Sequence, residues 1–194
     1  LILNENCFSS SSDDKYFRNL PSLKYLRLAS CCLHTFPDTS NFSLTVLELD
    51  LNFNNISTVP SSILQCNSLK ILKLESNPIT VIPKLDLENL ETLNLRNTHL
   101  ESLQCFELSS LKSLDLSGTF IPDFKNLTYL TGHLEKLSLS KTLVTSLNLS
   151  TWSFLGFLTS LELSDTYVKC LELPVSYLSS PICGRNAYFL ESFL

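Results

Sequence analysis

The sequence predicts an α/β-type solenoid, a horseshoe with a parallel inner β-sheet and a mostly loop or 3-10 outer side. Three observations predict it. Leading apolar residues recur at Leu23, Val46, Leu69, Leu90, Leu111, Leu134 and Leu158, in steps of 23, 23, 21, 21, 23 and 24 residues, and self-similarity at such a period marks stacked supersecondary units rather than one globular core. Each unit then repeats an inner leucine pair: Leu26 and Leu28, Leu49 and Leu51, Leu72 and Leu74, Leu93 and Leu95, Leu114 and Leu116, Leu137 and Leu139, Leu161 and Leu163. A second apolar ladder follows at Phe36, Val59, Ile82, Leu103, Phe124, Leu147 and Leu171, placed to stack inside the coil on its return path.

The coil from Leu69 to Pro83, LKILKLESNPITVIP, is the reference unit. Its spacing L-x-x-L-x-L-x-x-N-x-L is the leucine-rich repeat signature, in which a short strand carries the middle leucines and the asparagine turns the chain out of the strand. At the N-terminus Leu1, Leu3, Asn6 and Phe8 match the second half of that pattern, so the chain is expected to open inside a partial coil of a longer array. The array is read as residues 1–173. Pro37, Pro60 and Pro83 directly follow members of the return ladder; proline supplies no N–H and fixes an extended or turn conformation, so the return side is expected to be loop or short helical turns. Residues 174–194, PVSYLSSPICGRNAYFLESFL, lack the signature and are read as a C-terminal cap or flanking segment.

The turn position holds Asn6, Cys31, Asn54, Asn77, Thr98, Thr119, Thr142 and Thr166. A side chain here is expected to satisfy backbone groups of the turn, and threonine or cysteine offers fewer bonds than asparagine, so these residues are read as a structural ladder with looser turns in the second half. One residue further on stand Cys7 and Cys32, in adjacent coils. Neighbouring strands lie about 4.8 Å apart, within the roughly 4.4–6.8 Å between Cα atoms that a disulfide accepts, so the pair is read as a Cys7–Cys32 bridge, the alternative being two unpaired thiols stacked on a surface ridge. Cys31 and Cys66 read as core fillers, and Cys170 with Cys183 as a staple for the end segment. The seven cysteines form no C-x-x-C pair and no Cys/His cluster of zinc spacing, so no metal is expected.

Composition narrows the function. The 194 residues are 44% hydrophobic and only 17% charged, with net charge -5, so there is material for a continuous core and no basic field for nucleic acid. No apolar run approaches the roughly 18 residues of a membrane span. His34, His99 and His133 fall in different coils, and Gly118, Gly132, Gly156 and Gly184 build no phosphate-cradling loop; catalysis and bound cofactors are therefore not expected.

Recognition is expected on the inner sheet, where stacked strands show their non-leucine residues in rows. The central row is Arg27, Asp50, Lys73, Asn94, Asp115, Ser138 and Glu162. Beside it run Tyr25, Glu48, Ile71, Thr92, Ser113, Lys136 and Ser160, and then Asn52, Glu75, Arg96, Ser117, Ser140 and Ser164. The alternating charges also fit cross-strand pairs that fix register, each contributing at most about 1 kcal/mol. Past the turn, His99, Phe120, Leu143 and Tyr167 form an apolar edge, a candidate protein contact.

Four N-x-S/T sequons, at Asn41, Asn55, Asn126 and Asn148, would leave that strand face open if glycosylated. About three sequons are expected by chance in so Ser/Thr-rich a chain. The stretches LHTFPDTSNFSLTVLELDLNFNNISTVPSSIL and SLKSLDLSGTFI resemble metazoan extracellular leucine-rich repeat proteins, including Toll-like receptor ectodomains. That resemblance implies a non-enzymatic module at the cell surface or outside the cell, binding another protein or a microbial component. Phrases such as LDLSGT also resemble intracellular leucine-rich immune sensors, the 21-residue coils are similar to cytosolic scaffold repeats, and the four-cysteine flanking caps of secreted members are missing. A cytoplasmic scaffold arm and a structural or matrix component are the alternatives.

Overall fold

The computed structural model describes residues 1–8, 20–40, 42–103, 108–130, 133–172 and 182–183, the backbone alone being described at Tyr129, Cys170–Glu172 and Ile182–Cys183. Seven three-residue strands stack into one parallel sheet: β1 (Tyr25–Arg27), β2 (Glu48–Asp50), β3 (Ile71–Lys73), β4 (Thr92–Asn94), β5 (Ser113–Asp115), β6 (Lys136–Ser138) and β8 (Ser160–Glu162). Each strand pairs with the next in unbroken register, so Leu26, Leu49, Leu72, Leu93, Leu114, Leu137 and Leu161 sit side by side. All seven are buried. Because alternate strand residues face opposite sides, burying the middle leucine sends its two neighbours to the inner face. The partial first coil docks on β1 through a parallel bridge between Ile2 and Arg27.

Behind the sheet the core is one continuous column. The six ladder residues with described side chains, Phe36, Val59, Ile82, Leu103, Phe124 and Leu147, are buried opposite the strand leucines, as the spacing predicts. Phe42, Ile63, Trp152 and Phe154 fill the wider coils. The return side contains 3-10 turns at Ser61–Gln65, Lys125–Tyr129, Leu149–Thr151 and Leu155–Phe157. All four lie in coils of 23 or 24 residues, and the 21-residue coil from Leu69 has none.

The return side is mostly loop and 3-10 turn, as expected, and it also carries strand pairing. A second sheet lies there, in the order β10-β9-β7, with β7 (Ser146–Asn148) parallel to β9 (Cys170–Glu172) and β10 (Ile182–Cys183) antiparallel to β9. A parallel bridge between Thr58 and Val81 makes the same kind of pairing earlier in the chain. Stacking equal coils sets their return segments side by side, and unpaired backbone groups there pair as a strand would.

A regular backbone feature follows every strand of the inner sheet. Glu5, Ser30, Phe53, Ser76, Asn97, Lys141 and Asp165 have φ between 52° and 63°, and Gly118 has φ 69°. Each occupies the same place in its coil, and the first seven in chain order aim their N–H at a carbonyl of the next coil, from Glu5 to Ala29 (2.8 Å) through Lys141 to Ser164 (2.8 Å). One hydrogen bond per coil thus holds the chain in the left-handed region, which costs an ordinary L-residue roughly 1–2 kcal/mol. Only glycine adopts it without that cost.

Candidate functional site

The turn ladder separates the molecule into two halves. Asn54 Oδ1 accepts from the N–H groups of Cys31 (2.9 Å) and Leu33 (3.0 Å), while its Nδ2 donates to Leu28 (2.8 Å), Leu51 (2.9 Å) and Asn52 (3.1 Å) carbonyls. It therefore ties two coils together. Asn77 repeats the arrangement, donating to the Leu51 carbonyl of the preceding coil (2.9 Å) and accepting from Ile56 N–H (3.1 Å). Cys31 keeps half of it: its thiol donates across to the Leu3 carbonyl (3.0 Å). Thr98, Thr119, Thr142 and Thr166 donate only within their own coil, to Leu95, Leu116, Leu139 and Leu163, at 2.7 to 2.9 Å. Asn6 also bonds locally, to Leu3 and Asn4 carbonyls.

The inner face divides the same way. In the first half its charges are spent on one another. Glu48, only 4% exposed, takes a two-pronged hydrogen bond from Arg27 (3.0 and 2.9 Å) and a third from Lys73 (3.3 Å), which also reaches Asp50 (3.4 Å). The Arg27 guanidinium holds the Glu48 carboxyl below the usual carboxylate range, with Lys73 assisting and burial opposing. Arg96 pairs with Glu75 (3.6 Å), to which Asn94 also donates (3.2 Å), and Asn52 accepts from Glu75 N–H (2.8 Å). Asp50, Asn94 and Asp115 also engage the backbone, each accepting from the N–H two residues on, at Asn52 (3.2 Å), Arg96 (3.0 Å) and Ser117 (2.9 Å). That bond shapes the turn leaving the strand. Tyr25 stands exposed at the end of this face.

The second half is hydroxyl-rich. Ser117, 2% exposed, shares a hydrogen bond with Ser138 (2.6 Å), which donates on to Glu162 (2.8 Å); Ser140 accepts from Ser164 N–H (3.2 Å). Lys136 and Lys141 are exposed and have no ion-pair partner among the described residues. Along the rim, the His99 ring meets Phe120 at 5.7 Å between centroids, and Phe120, Leu143 and Tyr167 remain 50, 47 and 63% exposed. At the other end of this rim, Cys7 and Cys32 are joined by a disulfide with Cα atoms 5.1 Å apart. Cys31 and Cys66 are buried thiols, and burial pushes both up in pKa.

Two features of the face are missing from the sequence reading. Phe53 holds a φ of 55° in the left-handed column and is 55% exposed; an aromatic ring in a column otherwise made of short polar or charged residues and glycine was the available signal. Along the opposite edge, Glu91 bridges Lys70 and Lys112, both at 2.9 Å, and these ammonium groups pull its carboxyl down to about 2. The three residues head consecutive strands at 21-residue spacing.

The sequons differ in presentation. Asn55 is exposed beside the rim, its Nδ2 2.9 Å from His34 Nδ1. Asn126 directs its Nδ2 into the Leu103 carbonyl. Asn148 is exposed, its Oδ1 accepting from Ser150 N–H (3.1 Å) and from the Ser150 hydroxyl. Asn41 lies outside the described residues, as do Cys105 and the end segment apart from Ile182 and Cys183. Among the described residues no group of three or more His, Cys, Asp or Glu side chains could hold a metal ion, and no helix is long and apolar enough to cross a membrane.

These repeating coils, with their parallel inner sheet and buried turn ladder, define a leucine-rich repeat fold, and solved structures share it. The functional domain of InlJ from Listeria monocytogenes, which includes a cysteine ladder, is 24% identical with a TM-score of 0.61, over 79% of this chain and 37% of that one. The ectodomain of the plant membrane receptor kinase GASSHO1/SCHENGEN3 from Arabidopsis thaliana, solved in complex with CASPARIAN STRIP INTEGRITY FACTOR 2, is 24% identical with a TM-score of 0.67, over 81% and 22%. A leucine-rich repeat domain of a Shigella effector is 19% identical with a TM-score of 0.62, over 88% and 74%. The chain thus spans well under half the length of the first two. No known family's profile matches the sequence, and no curated protein matches it either.

Proposed function

We propose that this chain is a non-enzymatic recognition module from an extracellular or cell-surface protein, and that it holds its partner on the second half of the inner sheet and the adjoining rim. The observation that carries this reading is the contrast between the two halves. The charges from Arg27 to Arg96 are largely neutralised within the face, whereas Phe120, Leu143 and Tyr167 expose apolar side chains at the same position of successive coils, beside Lys136, Lys141 and a serine field. An apolar patch rimmed by polar groups is the usual form of a protein contact. The Cys7–Cys32 disulfide supports an oxidising compartment, and exposed sequons at Asn55 and Asn148 are compatible with one.

Two measurements test the reading. Mass spectrometry of native material is expected to find Cys7 linked to Cys32 and glycan on at least one sequon; reduced thiols with bare asparagines would move the chain to the cytoplasmic scaffold reading. A photo-crosslinking residue at Leu143 is expected to give a discrete protein adduct in that setting, lost when Phe120 and Tyr167 become serine. The same residue at Leu44, exposed on another side of the coil, serves as control. Equal adducts from both sites, or adducts insensitive to the serine changes, remove the rim from the proposal.

A further inference from the structure

The backbone brings two cysteines opposite each other at the C-terminal end of the described chain. β9 and β10 run antiparallel, with Cys183 the register partner of Cys170 and Ile182 that of Leu171. We propose that Cys170 and Cys183 form a second disulfide, which fastens the chain beyond the last coil to the return-side sheet.

Directly opposed residues of an antiparallel pair have Cα atoms about 4.5 or about 5.5 Å apart, depending on which kind of pair they form. Both values fall within the roughly 4.4–6.8 Å that a disulfide spans. Of the other five cysteines, Cys7 and Cys32 are bonded to each other, and Cys31 and Cys66 are buried thiols in other coils. Only Cys105 remains as a competing partner. The bond also answers a mechanical need. β10 has two residues and stands at the edge of its sheet, too short to hold itself by ladder hydrogen bonds. β9 is anchored, because β7 pairs with it in register from Ser146 with Cys170 to Asn148 with Glu172. A covalent link from Cys183 to Cys170 therefore transmits that anchoring to the chain end.

Bond formation needs an oxidant, and thiol–disulfide exchange with an oxidised dithiol carrier protein supplies it. One cysteine thiolate attacks the carrier disulfide to form a mixed disulfide, and the second displaces the carrier sulfur. The cysteine pair gives up two electrons and two protons, and the carrier leaves as its dithiol. The proposal rests on backbone register and is independent of where the partner binds.

The test is peptide mapping of the full chain, isolated without reductant and alkylated with iodoacetamide under denaturing conditions. The expected result is one fragment linking Cys170 to Cys183, one linking Cys7 to Cys32, and label on Cys31, Cys66 and Cys105 only. Label on both Cys170 and Cys183 while Cys7–Cys32 stays linked overturns the proposal and leaves the compartment reading intact; so does a link from either residue to Cys105. Label on all seven overturns both. A second measurement follows the consequence: Cys183→Ser is expected to speed amide exchange in β10 by at least about tenfold while β2 to β5 are unchanged, and unaltered exchange in β10 would mean that nothing is stapled.

Discussion

Asn54 and Thr119 occupy the same place in their coils, yet one side chain makes five hydrogen bonds across two coils and the other makes one within its own. Asn54→Ala strips buried backbone groups of several partners and is expected to cost about 3 kcal/mol, against about 1 kcal/mol for Thr119→Ala, measured by urea unfolding. Equal losses would mean that the asparagine ladder carries no special weight. Phe53 makes the opposite case, because its ring sits on a backbone that disfavours it. Phe53→Asn keeps a residue that tolerates the left-handed region and is expected to raise stability by up to about 1 kcal/mol, read as a higher melting temperature. Glu91 gives a pH signature. Its folded-state pKa, about 2, lies below its ordinary value of 4.5, so its contribution is fully present above that value and is lost as pH falls from about 4.5 toward 2. NMR titration at low salt should show that depression, and high salt should reduce it, since the Lys70 and Lys112 pairs are exposed. At this scale the turn column was legible in the sequence, because Asn, Cys and Thr stand at fixed offsets. The ion-pair geometry was not, because it depends on diagonal contacts such as Arg27 to Glu48, which join different rows.

Elements behave as coils, and coils differ by what binds each to the next. The N–H groups of Leu33 and Ile56 donate to the asparagine of the following coil. The corresponding positions Leu100, Ile121 and Val144 precede coils with threonine turns. Amide hydrogen exchange is therefore expected to be slower at Leu33 and Ile56 than at Leu100, Ile121 and Val144, a gradient opposed only if the threonine coils gain compensating bonds. Such a gradient would also make the second half the more adaptable face for a partner. The inner strands follow from the leucine spacing alone. The return-side sheet escapes that reading because Leu147 and Leu171 stand at the ladder offset, which marks burial on the return path rather than pairing; their segments pair because stacked coils lay them side by side.

For the whole molecule the governing fact is that each coil touches mainly its neighbours, so stability is added coil by coil. Reducing the Cys7–Cys32 disulfide, which closes a separation of 25 residues, is expected to cost the first coil about 3 kcal/mol and to leave β4 onward unaffected. Circular dichroism with and without reductant should then show an early partial transition ahead of an unchanged main one. A uniform shift of the entire transition would mean that the array unfolds as one unit. Spacing alone carried the parallel inner sheet and the buried ladder behind it, because a repeated apolar period has one economical way to bury itself and every unit restates it. Tertiary structure decided the rest: which inner-face charges neutralise one another, which rim residues stay open, and that the return segments form a second sheet. Those outcomes depend on contacts between residues a full coil apart in sequence, whose meeting is settled only once the coils have stacked.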